Sequence, residues 1–263
     1  MVSKTIVVTK NDGVALIQMN NAATMNAITE PVMLEEAINA FEEIQRDDTI
    51  RVCVLTGVDR AFCSGGNVKD MLNREKMFAG KPLELQEGYR KGIHRLSKLM
   101  YVFEKPLIAA VNGAAVGAGF DLAMLCDIRI ASKKARFASN FVNLAVIPGD
   151  GAAWLLTKVV GAQRAAELVL TGRMFKADES LEMGLLLKVV DEDKLIDEAM
   201  ILADSIASKP IDVLRIAKRL LNSTDRVSFS DHLDLCSANQ AMLHHTPEHE
   251  IALEQFFNRT KKR

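Results

Sequence analysis

The sequence predicts an α/β core followed by a wholly helical C-terminal region. Up to about Val190, short apolar runs of strand character alternate with amphipathic helical segments, the order that gives a mostly parallel sheet with crossover helices. Beyond that point no strand pattern recurs and only helical apolar spacing continues. In addition, two of the early apolar runs lead straight into glycine-bearing segments, "AFCSGGNVKDM" (61–71) and "VNGAAVGAGFDLAMLCD" (111–127).

The elements follow in order. Residues 5–8 and 14–19 read as strands joined by the turn "NDG" at 11–13. Pro31 opens a helix whose apolar positions Leu34, Ala37, Ile38, Phe41 and Ile44 keep helical spacing. "VCVLTG" (52–57), "PLIAAV" (106–111) and "DIRIA" (127–131) are buried strands. "LNREKMFAGKPLELQ" (72–86) is largely polar and broken by Gly80 and Pro82, so it reads as a mobile surface loop. Helical periods then run over 194–207, 211–221 and 230–257.

Composition sets bounds on function. A net charge of -1, with no basic run but the terminal "KKR", gives no electrostatic case for nucleic acid. No stretch is long and apolar enough to span a membrane, and the first residues lack the apolar core of a signal peptide. Cys53, Cys63, Cys126 and Cys236 show no paired spacing, which places the protein in the reducing cytoplasm. "HHTPEH" (244–249) puts His245 and His249 four apart, but Pro247 disturbs the helix that would align them. It reads as a surface turn, and no metal is expected.

Both glycine segments follow a buried strand and open a helix. Amides at a helix N-terminus lack intrahelical partners and sit at the positive end of the dipole. One amide from each segment, aimed at one carbonyl oxygen, would make an oxyanion hole. Tight packing is the competing explanation for small residues after a strand. Neither segment has the spacing of a dinucleotide fingerprint or a P-loop.

Taken together these motifs resemble the crotonase superfamily, the enoyl-CoA hydratase/isomerase family. The similarity runs nearly the full length, through "NAI" (26–28), "KPLIAAVNGAAVGAGFDLAMLCDIRIAS", "IPGDGAAWLL", "LTGRMFKADESLEMGLLLKVV" and "KPIDVLRIAK". The resemblance implies a spiral of ββα turns over residues 1–195, binding acyl-CoA and carrying catalysis, and a helical region over 196–263 that builds trimers or hexamers. It implies an acyl-CoA thioester as substrate, with coenzyme A as part of that substrate and no separate cofactor. By the same resemblance Gly66 and Ala118 would supply the oxyanion amides. Ser64, Gly65, Gly66, Asn67 and Val68 would receive the coenzyme, and Phe256 and Arg259 would reach it from the C-terminal helix, often of a neighbouring subunit.

The reaction depends on the acids. Hydratases of this family use two glutamates, one to activate water and one to deliver a proton to carbon. Here the first position holds Asp121 and the second holds Phe141, which cannot carry a proton. Asp150, nine residues later in "PGDG", is a further acid in a loop where several relatives place a working carboxylate. A single base suffices to move a double bond, so isomerisation is favoured over hydration. Nucleophilic attack by Asp150 and acyl-CoA binding without turnover remain as alternatives. Each residue also has a plainer role open to it. Asp150 could cap the following helix, and Asp121 could answer a helix dipole. Trp154 could be core or substrate platform, and Met71, Met77, Met100 and Met124 pocket lining or core filling. Phe141 is expected as a wall of the acyl pocket.

Overall fold

The computed structural model describes residues 4–260. A hairpin comes first: β1 (Ile6–Asn11) and β2 (Val14–Met19) pair antiparallel with Asn11 opposite Val14. Asp12 and Gly13 form the two-residue turn with φ of 45° and 86°, the sign that primed hairpin turns require. Helix α1 (Pro31–Arg46) follows with proline in its first turn.

Three times thereafter the chain repeats one move, a strand, a short strand and then helix. β3 (Val52–Gly57) and β4 (Ala61–Cys63) lead to α2 (Val68–Asn73), α3 (Pro82–Lys91) and α4 (Ile93–Tyr101). β5 (Leu107–Val111) and β6 (Ala114–Val116) lead to α5 (Ala118–Leu125). β7 (Ile128–Ser132) and β8 (Arg136–Ala138) lead through a 3-10 turn at Asn140–Leu144 to α6 (Ala152–Val160) and α7 (Ala162–Thr171). The first strand of each pair joins a six-stranded sheet ordered β1-β2-β3-β5-β7 and completed by β10 (Lys188–Val190), and the second a four-stranded sheet ordered β4-β6-β8 and completed by β9 (Phe175–Lys176). The chain reaches β10 from β9 through α8 (Ala177–Glu182). This is the spiral of ββα turns. Helices α9 (Leu195–Ala207), α10 (Ile211–Ser223), α11 (Phe229–Leu243) and α12 (Pro247–Thr260) complete the described chain.

Parallel strands with both faces covered explain the unbroken apolar runs. Successive side chains of a strand point to opposite faces, and here the two faces enter different cores. Cys53 and Leu55, with Leu107, Ala109 and Val111, pack beneath α1 and α4. Val52, Val54, Ile108, Ala110 and Ile130 face the other way and meet α9 through Leu195, Ala199, Ala203 and Ala207. The first helix of the C-terminal region therefore covers the large sheet, and only the helices after it stand outside.

A buried polar tie joins α10 to this core. Lys218 Nζ donates to Lys105 O at 2.9 Å and pairs with Asp127 Oδ2 at 2.7 Å, and the same oxygen accepts the Leu107 amide at 2.7 Å. Lys105, itself fully buried, donates to the carbonyls of Ile44 and Asp47, each at 2.5 Å, at the C-terminal end of α1.

Two expectations need correction. Residues 72–86 are not a simple loop: Pro82, read as a breaker, is the first residue of α3, where its missing N–H costs nothing. The long C-terminal period over 230–257 is two helices, because Pro247 begins α12 instead of continuing α11.

Candidate active site

The two glycine segments lie against each other. A Cβ on Gly65 would come 2.4 Å from Val116 O and 2.9 Å from the Ala118 nitrogen, and one on Gly119 would come 2.0 Å from Cys63 O. Those glycines serve packing, and that packing is what brings the two helix starts together. Residues 24–28 brace the first segment from outside. Ser64 N donates to Met25 O at 3.0 Å, Ile28 N to Gly65 O at 3.0 Å, and buried Asn26 Nδ2 to Ala61 O at 2.8 Å. Gly117, with φ 55° and ψ −126°, turns the second segment into α5 through a conformation that a side chain would strain.

Gly66 and Ala118 both line a cavity of about 1330 Å³. Among the described residues neither amide donates a hydrogen bond to another group of the chain. Ser64 and Val68 line the same cavity, whereas Gly65 and Asn67 do not. The Asn67 side chain is occupied locally, accepting from Lys69 N at 3.1 Å and donating to Glu30 at 2.8 Å, so it caps α2. Phe141 forms part of the wall, its Cζ 3.8 Å from where a Cβ of Gly117 would stand. Met71 and Met77 also line the cavity, while Met100 and Met124 fill the core.

Asp150 is the one carboxylate among the lining residues. It does not cap α6: Gly151 is the N-cap residue, with no side-chain cap bond, and Asp150 Oδ1 is buried without a hydrogen-bond partner. Burial pushes its carboxyl up to about 6, with nearby His94 drawing it down. His94 is a residue the sequence reading missed. From α4 it lines the cavity, places Nε2 3.8 Å from Asp150 Oδ1, and bonds Gly149 O at 3.0 Å. A carbonyl only accepts, so Nε2 carries the proton in that bond. The Tyr89 ring lies tilted at 48° to the His94 ring, with centroids 5.7 Å apart, and burial followed by the Asp150 charge raises its hydroxyl.

Asp121 lies elsewhere. It is fully buried, does not line the cavity, and Oδ2 accepts the Ala152 N–H at 3.2 Å. Burial, and next the Asp150 charge, push its carboxyl up to about 8. Trp154 is neither core nor pocket wall. It is 51% exposed on α6, with Lys158 3.3 Å above its ring and Tyr101 edge-on at 5.6 Å. Phe256, 63% exposed on α12, does not line the cavity of its own chain. The Arg259 side chain lies outside the described residues.

Two unpaired amides and one buried carboxylate thus share a large cavity, an arrangement able to hold a negatively charged oxygen and move a proton beside it. The family model of enoyl-CoA hydratase/isomerase matches residues 9–262. The chain belongs to that family. Among relatives of this crotonase-superfamily protein, the mitochondrial enoyl-CoA hydratase of Pongo abelii is 35% identical over 84% of this chain and 73% of that protein. The 1,2-epoxyphenylacetyl-CoA isomerase of Escherichia coli is 35% identical over 85% of this chain and 84% of its own length. The enoyl-CoA hydratase of Bacillus anthracis superposes with a TM-score of 0.89 at 30% identity, covering 97% of this chain and 96% of that one. Membership fixes the fold and the enzyme family. The family's members include both hydratases and isomerases, so the reaction has to be argued from the side chains.

Proposed function

We propose that the protein isomerises enoyl-CoA thioesters, moving a double bond from C3 to C2. The amides of Gly66 and Ala118 hold the thioester oxygen as it becomes an enolate oxygen, at the positive end of α5. Asp150 removes a proton from C2 and returns it at C4. The observation that carries this reading is the single carboxylate in the cavity. Hydration asks one group to activate water and another to protonate carbon, and here Phe141 stands where the second acid is expected. Incubating the purified protein separately with 3-enoyl- and 2-enoyl-CoA in deuterated buffer tests it. The expected outcome is 2-enoyl-CoA from the 3-enoyl substrate; 3-hydroxyacyl-CoA as the main product overturns the assignment.

The His94–Asp150 pair favours a second reading. Asp150 could attack as a nucleophile, either at a halogen-bearing ring carbon of an aryl-CoA, expelling halide and leaving an aryl ester, or at the thioester carbon of an acyl-CoA, expelling the CoA thiol and leaving an anhydride. Water activated by His94 would then hydrolyse the adduct and free Asp150. A mass increase on the peptide containing Asp150 during turnover would identify that route.

For the coenzyme, we propose binding along Ser64, Gly66 and Val68, supported by their place on the cavity wall. Phe256 and Arg259 would serve a neighbouring chain's cavity in a trimer or hexamer. Exposed Phe229, Leu233, Met242 and Ile251 on the last helices support self-association. Light scattering that reports a monomer at micromolar concentration would refute it.

A further inference from the structure

We propose that Asp121 is a positioning residue: from beneath the cavity its carboxyl group holds the Ala152 amide and so steadies the turn that aims the Asp150 carboxylate at the acyl chain. This rests on the reading of Asp150 as the base. Asp121 is fully buried on α5 and absent from the cavity wall, so it does not meet substrate. Its Oδ2 accepts the Ala152 N–H at 3.2 Å, two residues after the base. Ala152 is the first residue of α6, where the amide has no intrahelical partner, and the N-cap Gly151 has no side chain to supply one. Asp121 therefore does from another helix what a capping Ser or Asn would do in sequence.

Little else fixes that turn. Gly151 has φ +121°, and no atom lies within 4 Å of where its Cβ would be. On the other flank His94 holds Gly149 O at 3.0 Å. The turn bearing the base is thus clamped between α4 and α5 by two hydrogen bonds.

The clamp works best as a neutral acid. Asp121 Oδ1 is buried without a partner, which costs far less in a protonated carboxyl than in an ionised one. With its carboxyl pushed up to about 8, Asp121 keeps its proton at neutral pH and places no second negative charge beside Asp150. Among the described residues, the charge acting on it is that of Asp150. His94 of α4 acts on Asp150, Cys63 of β4 meets α5 at Gly119, and Arg129 of β7 binds the Ala123 and Cys126 carbonyls at the far end of that helix.

Two variants separate holding from chemistry. Asp121→Leu removes the acceptor, and Asp121→Asn keeps it but cannot ionise. The readouts are hydrogen exchange of the Ala152 amide in the free protein, and kcat and KM for 3-enoyl-CoA across pH. The Leu variant is expected to lose Ala152 protection and about 10- to 100-fold in kcat, the scale of a lost hydrogen bond or a small misplacement of the base. Its KM should stay within about twofold, since the clamp aims the base without touching the acyl chain. The Asn variant should restore protection and most of kcat, with the acid limb of its pH profile unmoved. Wild-type protection in the Leu variant overturns the proposal. An Asn variant as slow as Leu despite a protected Ala152 also overturns it, because the reaction would then need the Asp121 proton itself. If the Leu variant does not fold, the Asn variant decides: retained kcat with an unmoved acid limb supports the clamp, and a limb displaced to lower pH overturns it. Exchange needs no turnover. A wild type that isomerises nothing but shows Ala152 protection lost in Leu and restored in Asn refutes the base while supporting the clamp.

Discussion

Replacing Asp150 with Asn removes the base and leaves the shape of the cavity in place. Burial raises the carboxyl from 3.8 to about 6, which amounts to about 3 kcal/mol of added proton affinity at 1.36 kcal/mol for each pH unit. Roughly half of such a gain reaches the transition state of a proton transfer, so the buried carboxylate is about tenfold faster than a solvated one. Asn forfeits that and the proton transfer itself, an expected loss of about 10²- to 10⁴-fold in kcat. KM should change by no more than about twofold, because the coenzyme is held elsewhere. The wild-type profile supplies the second arm of the assay. The base works ionised, so kcat/KM should climb tenfold per pH unit below about 6 and level off above it. His94 draws the Asp150 carboxyl down, so His94→Gln, which keeps a donor for Gly149 O, should move the limb to higher pH. An Asn variant within about threefold of wild type, or a wild-type rate that does not fall on acidification through pH 6, would refute the reasoning.

Further outcomes follow from the same geometry. A valine at Ala118, 4% exposed on the cavity wall, should abolish most turnover by filling the space in front of the amide, a loss of about 3 kcal/mol of transition-state stabilisation. Gly66→Val should do the same while displacing Met71, whose Cε lies 2.4 Å from the added Cβ; near-wild-type rates in both, with unchanged circular dichroism, contradict the assignment of these amides. Asp121 binds a proton up to about pH 8 when folded but only up to about 3.8 when unfolded, so its contribution to stability falls as pH rises between those values. Asp121→Asn should remove that slope, seen as wild-type and variant urea curves that diverge with pH. Asp127→Ala leaves the buried Lys218 ammonium unpaired and should cost about 3–5 kcal/mol, measured by thermal unfolding.

Much of the fold was legible because its signals are local. The run "VCVLTG" is apolar at every position because both of its faces are covered, and Pro31 marks a helix start by itself. The two glycine segments stood out because strand, glycine and helix follow one another in sequence, whereas Gly66 and Ala118 themselves were singled out by the family resemblance. His94 did not stand out. It meets the Gly149 carbonyl, next to Asp150, across 55 residues through the packing of α4, and nothing around "GIHRL" marks it. Asp121 occupied a family position whose usual side chain faces the substrate, and sequence carries no sign that here the carboxyl turns back to the Ala152 amide. Trp154 looked like core by residue type, yet its helix presents it to solvent beside Lys158. Pro82 was ambiguous in principle, since the ring that ends one helix begins the next.

The placement of α9 bears on how the protein is made. Its residues Leu195, Ala199, Ala203 and Ala207 are the lid over the outward row Val52, Val54, Ile108, Ala110 and Ile130. A chain synthesised from its N-terminus exposes that row long before residue 207 leaves the ribosome. The sheet can pair its strands early, but one side of it stays wet and adhesive until more than three quarters of the 263 residues exist. Emergence of α9, and not strand pairing alone, is the step at which that face of the sheet is shielded from other chains.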